Sequence, residues 1–168
     1  AWEGSLPEFV VAAYSFTSYW EFLFYLGLGF LAAIVSVLYI QSITLVGDYW
    51  HHVTLPVWLK PALGGLVVGA IGFFMPMVMG VGYDSIDAVL QGHAPWAVFF
   101  LLLIVVVKIF TTATTLGSGG IGGMFAPSLF LGAMLGGAYG MALQHFFSTV
   151  TSSPVAYAMV GMAAVLAG

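Results

Sequence analysis

A glycine-rich turn in this sequence leads at once into an apolar helix, a combination suited to binding an anion. Residues 116–139 read LGSGGIGGMFAPSLFLGAMLGGAY. A helix N-terminus buried among apolar residues presents backbone N–H groups that have no partner within the helix, and the helix dipole adds roughly half a positive charge there. If Gly122 or Gly123 caps this helix, the amides of Gly123, Met124 and Phe125 fall in its first turn and point at a potential anion site.

The neighbouring residues fit this interpretation. Pro127 lies near the helix start, where a missing N–H costs least. Ser118 can supply a hydroxyl to the anion or cap the turn locally, and both alternatives stay open. A phosphate or dicarboxylate would require formal positive charges, whereas amide and hydroxyl dipoles suit a small monovalent anion that must also leave quickly. The supporting residues of the motif are Ser118, Gly119, Gly122, Ala126 and Pro127.

Two nucleotide-binding motifs compete for the same glycines. Residues 117–122 match the dinucleotide pattern G-x-G-x-x-G, but that motif needs an acidic residue about twenty positions later, and no acid follows Asp87. A P-loop needs a lysine and a hydroxyl after its last glycine, and both are missing. Neither cofactor is therefore expected.

The composition of the whole chain is that of an integral membrane protein. Hydrophobic residues make up 62% of the 168 positions, charged residues make up 5%, and the mean hydropathy is +1.12. Apolar runs long enough for membrane helices are expected at about 20–46, 61–82, 96–116 and 124–147, with a shorter run at 154–168. Residues 1–18 are a polar lead-in without the features of a signal peptide, and we interpret the chain as a piece of a larger, multi-pass membrane protein.

Charge and cysteine content exclude several other classes. Two lysines or arginines against six acids leave a net charge of −4, which argues against nucleic-acid binding. The absence of cysteine excludes disulfides and thiolate metal sites. We find no constellation of acid, histidine and serine within the apolar runs, so we expect neither an enzyme nor a metal site.

The isolated polar residues each have a structural interpretation beside a functional one. Lys108 is the one cation within an apolar run; it can pack, extend towards an aqueous face or contact the transported ion as a secondary site. Asp84 and Asp87 lie at an expected helix start and either favour the helix dipole or bind a cation. The histidines are interpreted as solvated, those at 51 and 52 within an interfacial loop at 47–60. The threonines of the Lys108 span are expected to bond to carbonyls of their own helix: Thr111, Thr112, Thr114 and Thr115.

The glycine turn resembles a motif of one transporter family. Residues 117–137, with Gly123-Met124-Phe125-Ala126-Pro127 at their centre, are similar to the G-x-F-x-P region of the CLC chloride channels and chloride/proton antiporters. The first span resembles the last helix of the family's first half, and the chain from Pro61 onwards resembles most of its inverted second half. The resemblance implies an all-α polytopic membrane bundle with broken helices.

This resemblance also implies a function and a set of partners. The amides of Met124 and Phe125, with Gly123 beside them, would bind chloride or a similar monovalent anion in mid-membrane. A homodimer with a separate pore in each subunit is implied, with the first span at or near the subunit contact. No cofactor is implied, and the family includes both channels and antiporters.

One rival interpretation has no transport function. In it the chain is a structural membrane bundle, and the glycine turn is a packing break that binds no ion. The two interpretations differ in whether an anion lies against the amides of Met124 and Phe125.

Overall fold

The described residues form α-helices joined by short connections. The computed structural model describes Tyr19 and residues 21–91, 97–147 and 153–168; the predicted polar lead-in at 1–18 and His93 lie outside these ranges. The helices are α1 (Glu21–His52), α2 (Leu59–Phe74), α3 (Tyr83–Leu90), α4 (Val98–Gly117), α5 (Phe125–Phe146) and α6 (Pro154–Ala167), with a 3-10 turn at Pro76–Val78. The predicted all-α fold is confirmed.

Three of these helices are long and apolar enough to cross a membrane. They are α1, α4 and α5, whereas α2 and α6 are shorter apolar helices. An α-helix satisfies its backbone hydrogen bonds internally, so these lengths fit a hydrocarbon core of about 30 Å.

A break follows α2 where the sequence contains Pro76. The residue before a proline is pushed out of the helical region, and Met75 has φ −133° and ψ 73°. The chain then passes through Gly80 and Gly82, whose φ angles of 59° and 75° are in the left-handed region that glycine adopts without strain. The apolar run at 61–82 therefore contains a helix, a 3-10 turn and an irregular segment. This break passes close to α4, where its backbone carbonyls accept hydrogen bonds from Lys108.

The prediction of an interfacial loop at 47–60 is wrong for residues 47–52, which are helical. Helix α1 continues through Gly47 to His52, so His51 and His52 lie exposed in its last turn. Two contacts account for the extension. Gly117 packs on the backbone of α1, since a Cβ built there would lie 2.9 Å from the nitrogen of Gly47. Lys60 Nζ donates to the carbonyl of Trp50 at 2.6 Å, which satisfies one of the free carbonyls at the helix C-terminus.

The core of the bundle is built around α5, which packs on α1, α3, α4 and α6. Its residues 130–138 are all buried. The predicted close packing along Gly132, Gly136 and Gly140 is confirmed: a Cβ at Gly140 would lie 2.7 Å from Cα of Pro154, and one at Gly136 would lie 2.7 Å from the carbonyl carbon of Tyr157. Glycine thus lets the backbones of α5 and α6 touch. This contact fixes the direction of α5 and hence the position of its N-terminus.

Helix α1 lies beside α5 and α6 and reaches both ends of α5. Phe24, near its start, meets Phe147 with ring centroids 5.6 Å apart. Ser36, buried in the middle, donates to the carbonyl of Val165 at 3.0 Å. Tyr39 reaches the other end of α5, where its hydroxyl lies 3.5 Å from the carbonyl oxygen of Met124. The start of α5 is therefore held between α4 and α1.

Candidate anion site at the start of α5

The turn between α4 and α5 begins with a compact closure of α4. Ser118 donates its N–H to the carbonyl of Thr114, and Gly120 donates to that of Thr115 at 2.9 Å. Gly119 has φ 88°, which only glycine adopts readily. Residues 120–123 are irregular, and α5 begins at Phe125 with Met124 as its N-cap. The helix therefore starts one or two residues later than a cap at Gly122 or Gly123 would give.

The amides predicted to bind an anion are not used by the rest of the described chain. Among the described residues, no backbone oxygen accepts a hydrogen bond from the N–H of Gly123, Met124 or Phe125. No side chain caps the helix start either. Pro127 has no N–H, so the free N–H groups at this helix start belong to the residues before it, at the N-cap and the first position of α5. An anion or water is the partner that such N–H groups require.

Gly123 and Phe125 border a cavity of about 520 Å³ between the glycine turn, α4 and the break that follows α2. Of the predicted site residues, Lys108, Gly122, Gly123, Phe125, Ala126 and Pro127 line it. The break contributes residues 78–81, and α4 contributes three threonines and Leu116. A cavity with mostly apolar walls and a few polar groups is the usual form of a small-ligand site.

Two of the predicted supporting residues lie elsewhere. Ser118 and Gly119 line a separate cavity of about 260 Å³ with Trp50, His51 and Lys60. The Ser118 hydroxyl donates to the carbonyl of Thr115 at 3.1 Å, so it closes the turn locally. Met124 does not line the 520 Å³ cavity, and its side chain is half exposed.

Lys108 is buried and anchored to the break after α2. Its side chain is 2% exposed, and Nζ donates to the carbonyls of Val78 at 2.8 Å and Gly80 at 2.6 Å. Nζ also lies 4.9 Å from the ring centroid of Phe130. The contacts of Lys108 in the described chain are thus packing contacts, and because it also lines the 520 Å³ cavity its secondary role at the transported ion stays a prediction.

Two of the four α4 threonines, Thr111 and Thr115, form the predicted bonds to carbonyls of their own helix. Thr111 donates to the carbonyl of Lys108 at 3.1 Å, and Thr115 donates to that of Thr111 at 2.8 Å. These bonds within one helix need no ligand. Thr111, Thr112 and Thr115 nevertheless line the cavity, so their oxygens add polarity to its α4 wall.

Sequence reasoning missed two parts of the site. One is the Val78–Gly80 segment, and the other is Tyr39, whose hydroxyl contacts Met124 from α1. Nothing local in the sequence marks either one, because both contacts join residues far apart in the chain. Among the described residues, no group of three or more histidines and acids is placed to hold a metal ion.

Comparison with known proteins identifies the family. The family described as voltage gated chloride channel matches residues 1–168. The chain belongs to this family. It is 42% identical over 154 residues to a putative ClcB-like chloride channel protein of Ralstonia nicotianae, an alignment covering 92% of this chain and 35% of that protein.

More distant relatives agree with this assignment. Chloride channel protein CLC-e of Arabidopsis thaliana is 38% identical over 182 residues, with 98% of this chain and 26% of the relative aligned. A ClcB channel of Escherichia coli is 37% identical over 112 residues, with 67% and 26% aligned. The chain spans about a third or less of the length of these curated relatives. It is thus a CLC membrane segment related to proteins of chloride transport.

Proposed function

We propose that this chain forms one wall of a CLC anion pathway and binds chloride, or a similar small monovalent anion, through the backbone amides of Met124 and Phe125. Gly123 lies beside them and adds a third N–H. The observation that carries the proposal is a set of amides at the start of an apolar helix, next to a 520 Å³ cavity, whose N–H groups donate to no backbone oxygen of the described residues. The process is permeation of an ion, with no bond made or broken.

The exposure of the turn supports an anion site shared with other parts of the protein. Ile121 is fully exposed, and Met124 and Phe125 are 54% and 62% exposed, although they belong to an apolar segment. Such residues in a membrane protein face either lipid or further helices. We propose that further CLC helices cover this face and complete the pathway. Ion sites in transporters are commonly formed in this way, between broken helices from different parts of the protein.

The family relationship supports the wider assignment. We propose a multi-pass integral membrane protein, located in the cell membrane if the organism is prokaryotic, that acts as a chloride channel or a chloride/proton antiporter. A homodimer with one pathway per subunit is part of the same proposal. Light scattering of the purified protein in detergent tests the dimer, which a monomer mass would contradict.

The transport assignment is tested by chloride efflux from liposomes that contain the full-length protein. We expect faster chloride efflux than from empty liposomes. We also expect titration calorimetry of the same protein to show that it binds bromide. Absence of both efflux and binding in a protein that elutes as one folded species would favour the structural bundle instead.

A further inference from the structure

We infer that Tyr39 of α1 is a positioning residue for anion binding: its hydroxyl holds the peptide carbonyl of Met124 and thereby orients and polarises the N–H of Phe125. This inference rests on the proposed function, because it concerns one of the amides assigned to the anion. Tyr39 acts through this peptide unit and does not contact the anion itself.

The contact of Tyr39 falls on the peptide unit that carries the proposed donor. Its hydroxyl lies 3.5 Å from the carbonyl oxygen of Met124, and that carbonyl shares one planar amide with the N–H of Phe125. The described peptide bonds are trans, and in a trans amide the N–H points away from the carbonyl. A donor that holds the carbonyl from α1 therefore also fixes the direction of the N–H at the helix start.

The same carbonyl accepts a second hydrogen bond, from within α5. The N–H of Ser128 donates to it at 3.1 Å, as part of the first turn of the helix. Hydrogen bonds to a carbonyl polarise the whole amide, and its N–H then becomes a stronger donor. Tyr39 thus adds, from a different helix, to a polarisation that α5 begins by itself.

Tyr39 is itself held firmly by the packing of α1. Its side chain is 4% exposed. Ser36, on the same face one turn earlier, donates to the carbonyl of Val165 at 3.0 Å. About two turns later, Gly117 packs on the backbone of α1 at Gly47. Because α1 is fixed on both sides of Tyr39, the hydroxyl needs no reorganisation when an anion arrives.

The expected effect of the Tyr39 hydroxyl is modest, because it acts through one amide. A distance of 3.5 Å is at the long end for a hydrogen bond between two oxygens. Polarisation strengthens a neighbouring hydrogen bond by roughly 10–30%, and a bond to a charged group changes a dissociation constant about ten- to 150-fold. With the loss of a fixed orientation added, we expect removal of the hydroxyl to raise the dissociation constant about two- to fivefold.

The first test removes the hydroxyl and keeps the buried ring. Bromide affinity of full-length Tyr39→Phe is measured by titration calorimetry, with Ser36→Ala as the matched control. The control also loses a buried α1 hydroxyl that donates to a carbonyl, but that carbonyl belongs to α6. We expect the two- to fivefold loss in Tyr39→Phe and an unchanged affinity in Ser36→Ala. An unchanged affinity in folded Tyr39→Phe would overturn the inference.

A double-mutant cycle separates positioning of the amide from general packing. An ester in place of the amide between Met124 and Phe125 keeps the carbonyl but has no N–H. If Tyr39 acts through this N–H, Tyr39→Phe causes no further loss of affinity in the ester protein. In Phe125→Ala, which keeps the N–H, the loss should persist. Equal losses in the ester protein and the unaltered protein would trace the effect to packing and overturn the inference.

A crystallographic measurement decides if Tyr39→Phe does not fold. Crystals of the unaltered full-length protein with bromide must then show the Tyr39 hydroxyl within hydrogen-bonding distance of the Met124 carbonyl. A hydroxyl bonded to the bromide itself, or turned to another group, would overturn the inference. Bromide bound away from the amides of Met124 and Phe125, or no bromide at all, would instead overturn the proposed function.

Discussion

Removing the N–H of Phe125 should weaken anion binding strongly while leaving α5 in place. Phe125 is the first residue of the helix, and its N–H donates to no backbone oxygen among the described residues. Proline is well tolerated at a first helical position because that N–H is not needed by the helix. Phe125→Pro therefore deletes one donor to the anion. A hydrogen bond to a charged group contributes about 1.5–3 kcal/mol, which is roughly a ten- to 150-fold rise in the dissociation constant.

A second perturbation is needed because Met124 has φ −93° and ψ −18°, a helical conformation that is disfavoured before proline. Replacing the amide between Met124 and Phe125 by an ester deletes the same N–H and avoids the proline ring. Phe125→Ala is the matched control, since it keeps the N–H and removes the side chain.

Bromide titration calorimetry of the full-length protein measures all three. We expect the proline and ester variants to lose affinity to a similar degree, and Phe125→Ala to lose much less. Unchanged affinity in the folded ester variant would refute the idea that this amide binds the anion.

Two further predictions concern the packing that positions the site. Gly136→Ala should destabilise the protein by about 1–3 kcal/mol or more, because the added Cβ has no space against α6. Gly65→Ala is the control and should be neutral or slightly stabilising, because nothing lies within 4 Å of its Cβ. Thermal unfolding in detergent compares the two variants, and equal melting temperatures would contradict the observed contact. Ser36→Ala should lower the free energy of unfolding by about 1–2 kcal/mol, because it removes a buried hydrogen bond to a carbonyl of α6. Thr44→Ala removes an exposed hydrogen bond within α1 and should change the stability little. The same unfolding measurement checks this pair, and a Ser36 variant as stable as the Thr44 variant would show that the bond contributes nothing.

Much of the fold follows from local sequence, because apolar length and glycine spacing are local properties. The apolar runs predict membrane helices, and the repeat from Gly132 to Gly140 predicts the face on which another backbone packs. The turn before α5 is also visible, since its glycines are contiguous and Pro127 marks a helix start. These features depend on residues within a few turns of each other.

The rest depends on contacts between distant residues. The extension of α1 to His52 requires Lys60 and Gly117, which no local pattern links to it. The anchoring of Lys108 requires the carbonyls of Val78 and Gly80, about thirty positions earlier in the chain. Sequence therefore marks Lys108 as unusual without revealing which surface it faces.

The placement of Ser118 illustrates the same limit on a smaller scale. A hydroxyl in a glycine turn can face an anion or its own helix, and these two orientations differ by a rotation of the backbone. The left-handed conformation of Gly119 and the bond from Ser118 to Thr115 turn the hydroxyl away from the cavity that the amides border. Spacing in the sequence does not determine this rotation.

The most direct test of the account is the position of bromide, located by its anomalous scattering in crystals of the full-length protein. We predict a bromide within hydrogen-bonding distance of the amide nitrogens of Met124 and Phe125, on the side of the turn that faces the 520 Å³ cavity. A map with bromide bound elsewhere and none at these amides, or with both amides bonded to carbonyl oxygens of another helix, would contradict the proposal that the start of α5 binds the permeating anion.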